Sequence, residues 1–374
     1  MKHKVEICLN FENNQPIPNA DLQLENFRSE SRWARSVLES LLNADWVDKV
    51  YSLYPVWKGS GSLHPKFVDG LPPGKDKDVI GIFYEAPTIA KDFNFKAVMM
   101  NVTATQAYGN CVHIWDSVFN CKNLLDQFKK KYNKNFFITA GYLDCQKALN
   151  LLINTTGQEY FEFLPIPNIP KITHQTNNFN KKKIVYASRS FLNNFIRPEV
   201  LSSEAIEVFK WVSSKLKEDP LMEFHIFSGE SIESMNFHKC TNIDKEFNES
   251  ISMKIFVSVR NQVKIHFGMD WKTNCQFWSE VKIPVSSESG FFNTQIEAAA
   301  YGIPTILHHT TPESNFLNAS WGTKEYIELL EKLYTDENFY RTNGEFYKKC
   351  VEENHTFDVF SNNLFKILKQ RGII

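Results

Sequence analysis

The stretch from Val281 to Thr310, VKIPVSSESGFFNTQIEAAAYGIPTILHHT, constrains the fold more than any other part of the chain. Ile283 to Val285 is a short apolar run that suits a buried strand. Ser286 to Phe292 is a turn of mostly small polar residues with one glycine, Gly290. Gln295 to Tyr301 predicts a short helix centred on Ala298, Ala299 and Ala300, and Gly302 stands where a left-handed residue ends a helix. Pro304 keeps the helix from resuming, and Thr305 to Leu307 starts another strand. Strand, tight loop, helix and strand form the βαβ unit of a parallel sheet. The loop then falls outside the carboxyl end of a strand, where open α/β sheets take their ligands.

The residue types in that loop suit an anion. Gly290 lets the backbone approach a ligand closely, and the amides of Phe292, Asn293 and Thr294 lie at a helix N-terminus, a favourable place for phosphate. Glu297, in the first turn, can accept hydrogen bonds from vicinal hydroxyls such as those of a ribose. Thr294-Gln295-Ile296-Glu297 also fits a capping box, in which Glu297 serves its own helix end. The residues alone leave both roles open.

Taken in order, Gly290, Phe291, Glu297, Ala298, Ala300, Gly302 and Pro304 resemble the donor-binding signature of retaining GT-B glycosyltransferases, family 4 in particular. That signature has a first glutamate eight places before the second; here Ser289 holds that place and Glu288 lies one residue earlier. The resemblance implies an α/β chain of GT-B architecture, two Rossmann-like domains facing across a cleft, with a C-terminal helix crossing back to the first. It further implies that a sugar moves with retention from a nucleotide-diphosphate sugar to an acceptor hydroxyl. Cationic side chains replace a metal, and the donor substrate is the only small molecule needed. Glu288 or Ser289 would touch the sugar hydroxyls, and Gly290, Phe291, Phe292, Asn293 and Thr294 the donor's sugar and phosphate. Glu297 would hold the ribose. The family also carries a basic residue after the first strand of its donor domain and another at the next helix start. Arg189 and Arg197 match those places, and two guanidinium groups can grip phosphates bidentately and neutralise a leaving group. The family's Gly-Gly in the first loop is replaced by Asn19 to Arg32. Arg32 and Arg35 on the following helix either compensate or form a solvated face.

A chain of 374 residues suits two domains. Residues 1–170 are expected to form an N-terminal Rossmann-like acceptor domain, completed by a helix at 355–374. Residues 171–183, polar and without period, read as a linker, and 184–354 as the nucleotide-sugar domain. Strands are expected at Lys4 to Asn10, Val47 to Leu53, Asp78 to Phe83, Lys96 to Asn101, Trp115 to Phe119 and Phe161 to Pro167. In the second half they are expected at Ile184 to Ala187, Glu223 to Ser228 and Val263 to Gly268. Helical spacing marks Ser29 onward, Lys122 to Tyr132, Ala205 to Val212, Trp271 to Glu280, Glu325 to Leu333 and Phe357 to Leu368.

A net charge of −1 gives no field to recruit nucleic acid. Seven scattered cysteines without Cys-x-x-Cys argue for reduced thiols, and the first residues contain no apolar core of a signal peptide. The expectation is a cytoplasmic protein. The lysine-aromatic run FKKKYNKNFF suits either a peripheral contact with an anionic membrane or a neutralised helix C-terminus. Phosphate-binding P-loop, dinucleotide and hydrolase-elbow motifs are all missing, and His308, His309 and His113 lack metal-ligand spacing. The acceptor, whether glycan, lipid-linked or protein, matches no motif, and no feature sets an oligomeric state. Two rival functions remain on the residues alone: a nucleotide-sugar epimerase, and a non-catalytic protein that binds a glycan or a partner.

Overall fold

A computed structural model describes residues 4–11, 29–52, 64–73, 78–84, 93–102, 122–140, 153–154, 157–168, 177–188, 203–228, 251–267, 276–286, 293–307 and 315–374. The chain divides into two compact units. One comprises Met1–Leu24, Ser29–Ile172 and Glu353–Ile374, and the other Glu25–Arg28 and Thr173–Glu352.

In the first unit, apolar runs form a seven-stranded sheet in the order β3-β2-β1-β4-β5-β6-β7. The strands are β1 (Val5–Phe11), β2 (Val47–Ser52), β3 (Phe67–Asp69), β4 (Val79–Tyr84), β5 (Ala97–Val102), β6 (Phe136–Ala140) and β7 (Phe161–Phe163). Every pairing is parallel. Such strands are covered on both faces and read as continuous apolar segments, as VIGIFY and FFITA do. Helix α1 (Ser29–Asn43) buries Val37, Leu38, Leu41 and Leu42, and α2 (Lys122–Tyr132) buries Leu125 and Phe128. Two of the three lysines ending α2 are engaged locally. Lys131 donates to the Phe93 carbonyl at 2.8 Å, and the Lys129 ammonium stands 4.9 Å from the Tyr160 ring centre. The Trp115 to Phe119 expectation lies outside the described residues.

The second unit holds a four-stranded parallel sheet, β10-β9-β8-β11. Its strands are β8 (Lys183–Ser188), β9 (Glu223–Ser228), β10 (Val263–Phe267) and β11 (Val281–Val285). The sheet is flanked by α3 (Ser203–Glu218), α4 (Ile251–Phe256), α5 (Asn293–Ala300), α6 (Lys324–Thr335) and α7 (Glu337–Asn354). One face carries the larger core, with Phe209, Phe224, Phe256, Tyr326 and Tyr340 at its centre. The other packs Val185, Phe227, Trp278 and Val281 against Ala298 and Ile303. Thr305 to Leu307, expected as a strand, makes a single parallel bridge between Leu307 and Asn318. Pro304 removes one backbone donor there.

The last helix, α8 (Phe357–Gln370), belongs to the first unit and packs along α1, with Trp46 and Phe365 ring centres 5.5 Å apart. Thr356 caps it by accepting from the Val359 amide. Its far end is tied down by Arg371, which donates to Glu162 at 2.7 Å and to the carbonyls of Glu159 and Lys134. His355, fully buried just before the helix, donates from Nδ1 to the Ile166 carbonyl at 2.9 Å. Burial lowers its pKa to about 4, so it is neutral at pH 7.

Candidate functional site

From β8 the chain steps outward to β9 and β10, then returns to place β11 on the other side of β8. This reversal is the topological switch point of a doubly wound sheet. All pairings are parallel, so the carboxyl ends of β8 and β11 lie side by side, where such sheets bind ligands. Helix α5 starts just beyond β11 and directs its N-terminal amides and positive dipole end to this region.

The elements that set α5 are local and strong. Residues 295 to 300 are all buried, and the run of alanines lets the helix lie close to the sheet. The helix ends as its sequence predicts. Gly302 has φ 69°, its amide donates to Ala299, and the Ile303 amide reaches back to the Ala298 carbonyl. These are the two bonds of a Schellman motif, and Ile303 and Ala298 supply its apolar contact.

Three buried tyrosines from the next helices hold the strand and its successor. Tyr326 on α6 bonds the backbone of Ser286, accepting from its amide and donating to its carbonyl. Tyr340 on α7 donates to the Lys282 carbonyl at 2.6 Å, and Tyr347 to the Thr305 carbonyl at 2.6 Å. Burial pushes all three hydroxyls far above the usual phenol range, so they stay protonated donors.

Glu297 is 1% exposed, and its Oε2 accepts from the indole Nε1 of fully buried Trp278 at 3.3 Å. Trp278 sits in the turn before β11. That turn is pinned by Asn178, whose Nδ2 donates to the carbonyls of Trp278 and Val281, both at 2.8 Å. Asn178 lies in the stretch whose polarity reads as a linker, yet it is fully buried within the second unit. The third residue of α5, Gln295, is 2% exposed and donates from Nε2 to the Ser286 hydroxyl at 3.0 Å. Its Oε1 is buried and has no partner among the described residues.

Asn293 and Thr294 form the half-buried start of α5, and Glu297 lies one turn in. Arg189, Arg197, Glu288, Ser289, Gly290, Phe291 and Phe292 lie outside the described residues, as do His113, His308 and His309. Arg32 and Arg35 stand on α1, with their side chains outside the description. Among the described residues no group of three His, Cys, Asp or Glu could hold a metal ion, and no helix is long and apolar enough to cross a membrane.

Sequence reasoning passed over Trp278, Gln295 and Asn178. Gln295 carries one signal: it is an amide two residues before Glu297 on a helix that goes on as three alanines, Ala298 to Ala300. The sequence also leaves unmarked a histidine pair on β9 and β10. His225 Nδ1 and His266 Nε2 are 2.8 Å apart, and Glu223 lies 3.0 Å from the other His225 nitrogen. Burial holds His225 down to about 4 and lowers His266 as well. On β11 the register shifts between Val281 and Ile283, and Lys282 between them is an extra residue. Its ammonium lies 4.1 Å from the Phe179 ring centre and 4.3 Å from that of Tyr334, and burial lowers its pKa to about 8.

The switch-point geometry defines a doubly wound α/β protein, and the switch point of its second unit is the place where such sheets take ligands. No family model matches the chain, and no curated protein matches its sequence. Solved structures do. A glycosyltransferase from Rickettsia africae ESF-5 superposes with a TM-score of 0.59 at 10% identity, covering 98% of each chain. A structure of trehalose-6-phosphate synthase, from a study of enzymatic glycosyltransfer with retention, gives 0.51 at 12% identity, covering 98% of this chain and 93% of that one. An S. aureus TarM mutant in complex with fondaparinux, alpha-GlcNAc-glycerol and UDP gives 0.50 at 14% identity. There 79% of this chain is covered, and the match spans 56% of TarM's length. At these identities the shared property is the fold: the chain has the GT-B type of architecture, built from two Rossmann-like units.

Proposed function

We propose that the protein is a retaining glycosyltransferase that moves a sugar from a nucleotide-diphosphate sugar to an acceptor hydroxyl on a glycan, lipid or protein. The observation that carries this reading is the switch point of the second unit. It sets the carboxyl end of β8, which leads into Arg189, beside that of β11, which leads through Glu288 to Gly290 into the N-terminus of α5. In this reading the α5 amides and the two arginines, Arg189 and Arg197, hold the diphosphate. Glu297 takes the ribose, and Glu288 or Ser289 the transferred sugar. Charge stabilisation of the leaving nucleotide is the main catalytic term, with no metal required. The glycosyltransferase named among the similar structures, the UDP bound to TarM and the retention studied in trehalose-6-phosphate synthase support the same reading. The first unit, extended by α8, receives the acceptor, and the protein works in the cytoplasm.

A second reading, a non-catalytic GT-B-like protein that binds a glycan or a partner, is favoured by one observation: Glu297 is buried against Trp278. Thermal melting against a panel of UDP-, GDP-, ADP- and TDP-sugars tests both. A donor at 100 times its dissociation constant raises stability by about 2.7 kcal/mol. A shift with one nucleotide class that disappears in Glu297→Ala supports the donor site. Release of free nucleotide on adding acceptor then separates the enzyme from the binding protein. Folded wild-type protein that shifts with no donor sinks the assignment.

A further inference from the structure

Gln295, at the start of α5, has a buried side-chain oxygen without a partner among the described residues. A buried amide oxygen with no partner costs about 1–3 kcal/mol, and such groups are rare enough in native proteins to call for an explanation. Its position supplies one. Side chains in the first turn of a helix lean back toward the N-terminus. The bond from Gln295 Nε2 to the Ser286 hydroxyl confirms that direction, because Ser286 is the residue that follows β11. The amide is therefore held in the angle between the carboxyl end of β11 and the first turn of α5, at the switch point where the ligand binds. Ser286 is itself fixed through its backbone by Tyr326, so the amide is presented from a rigid support.

The oxygen selects the kind of group that completes it. An amide oxygen accepts only, so it matches a hydroxyl or N–H and has no favourable bond to offer an ionised phosphate oxygen. The amides at the helix end suit the phosphates. Resting on the glycosyl-donor reading above, we propose that Gln295 is a specificity-determining contact of the donor site, its Oε1 accepting a hydroxyl of the transferred sugar. Gln295 then distinguishes a loaded donor from the spent nucleoside diphosphate, and favours sugars with a hydroxyl directed at the start of α5.

Calorimetric titration of the full chain with nucleoside diphosphates and the corresponding nucleotide sugars tests this, using wild type, Gln295→Leu, Gln295→Met and Ser286→Ala. Leu and Met fill the same buried volume without an acceptor, and the pair guards against one variant misfolding. The expected result is that both Gln295 variants weaken the nucleotide sugar about tenfold, the loss of one hydrogen bond, and leave the diphosphate within about twofold. Ser286→Ala, which removes the strut but keeps the acceptor, should shift the ratio of the two affinities in the same direction and by less than the Gln295 variants do. Three results overturn the proposal: an unchanged nucleotide-sugar affinity in the Gln295 variants, equal losses for both ligands, or a Ser286→Ala variant that reproduces the altered ratio in full. Wild-type protein that binds neither ligand class overturns the donor reading instead, and this contact with it.

Discussion

Replacing Gly344 with alanine should destabilise the second unit, although the position is in the middle of a helix. Gly344 is the eighth residue of α7 and is buried, and it faces the backbone of Gly302 at the end of α5. A Cβ built on Gly344 would stand 3.0 Å from the Gly302 carbonyl carbon and well inside contact distance of its oxygen. Carbon–oxygen contacts settle at about 3.3–3.6 Å, so α7 or the end of α5 must move by something on the order of an ångström. Neither moves freely, because Gly302 is held at φ 69° by the Schellman bonds, and α7 is bonded to β11 through Tyr340 and to the segment at Thr305 through Tyr347. Overpacking of this kind costs about 1–3 kcal/mol, and a backbone obstacle belongs at the upper end. Against it, alanine gains about 1 kcal/mol over glycine in a helix interior. The expected net loss is about 2 kcal/mol, or a melting temperature lower by about 4–8 °C for a unit of this size. Urea titration followed by tryptophan fluorescence reads it, with far-UV circular dichroism alongside to detect separate unfolding of the units. The two contributions have opposite signs, so the test is sharp. A Gly344→Ala protein as stable as wild type, or more stable, would refute the close approach of α7 to α5.

Tyr347→Phe removes the hydroxyl that donates to the buried Thr305 carbonyl and accepts from the half-buried Leu317 amide, leaving both backbone groups short of a partner. A loss of about 1–3 kcal/mol is expected in chemical denaturation, and no change would show that these groups find water or new partners. Acid should weaken the protein well above the carboxylate range. Burial depresses the pKa of His355 from the ordinary 6.5 to about 4, so between those values the unfolded chain binds more protons than the folded one. Stability therefore falls as pH drops through that window, by about 2 kcal/mol at pH 5 from His355 alone. Buried His225 and half-buried His266 add a loss of the same sign. Denaturation midpoints at pH 7, 6 and 5 check this, and a flat profile would contradict the buried neutral state of His355. His355→Asn should flatten the part of the slope that comes from the first unit.

Much of the fold was legible because parallel strands buried on both faces must be apolar runs, and DVIGIF, KAVMMN and EFHIFS are such runs. Two strands and two helices escaped, the six-residue α4 among them because it is too short to show a period. Phe67–Asp69 is too short to show a period, and Phe136–Ala140 follows the lysine-rich end of α2, which drew attention away from it. Helix α7 is polar and contains Gly344, which sequence reasoning counts against a helix. The glycine has its reason in space, the backbone of Gly302 against it. The capping-box and ribose readings of Glu297 both overlooked Trp278, because a contact across 19 residues leaves no trace in local spacing.

By itself the sequence determined the local events. Gly302 ends α5 because only a residue at ease with positive φ can close a Schellman motif there, and Thr356 starts α8 because its side chain satisfies an open amide. The order of strands was decided only in three dimensions. Nothing along the chain says that β11 returns to the far side of β8, since that depends on which faces remain to be covered once β9 and β10 have paired. Tertiary packing likewise decided that Asn178, in a polar stretch, is a core residue, and that Glu297 and Gln295 look to Trp278 and Ser286. Local conformation follows from the few residues whose backbone and caps compete for it. The environment of a buried polar group is set by partners that are distant in sequence, and only the folded chain brings them together.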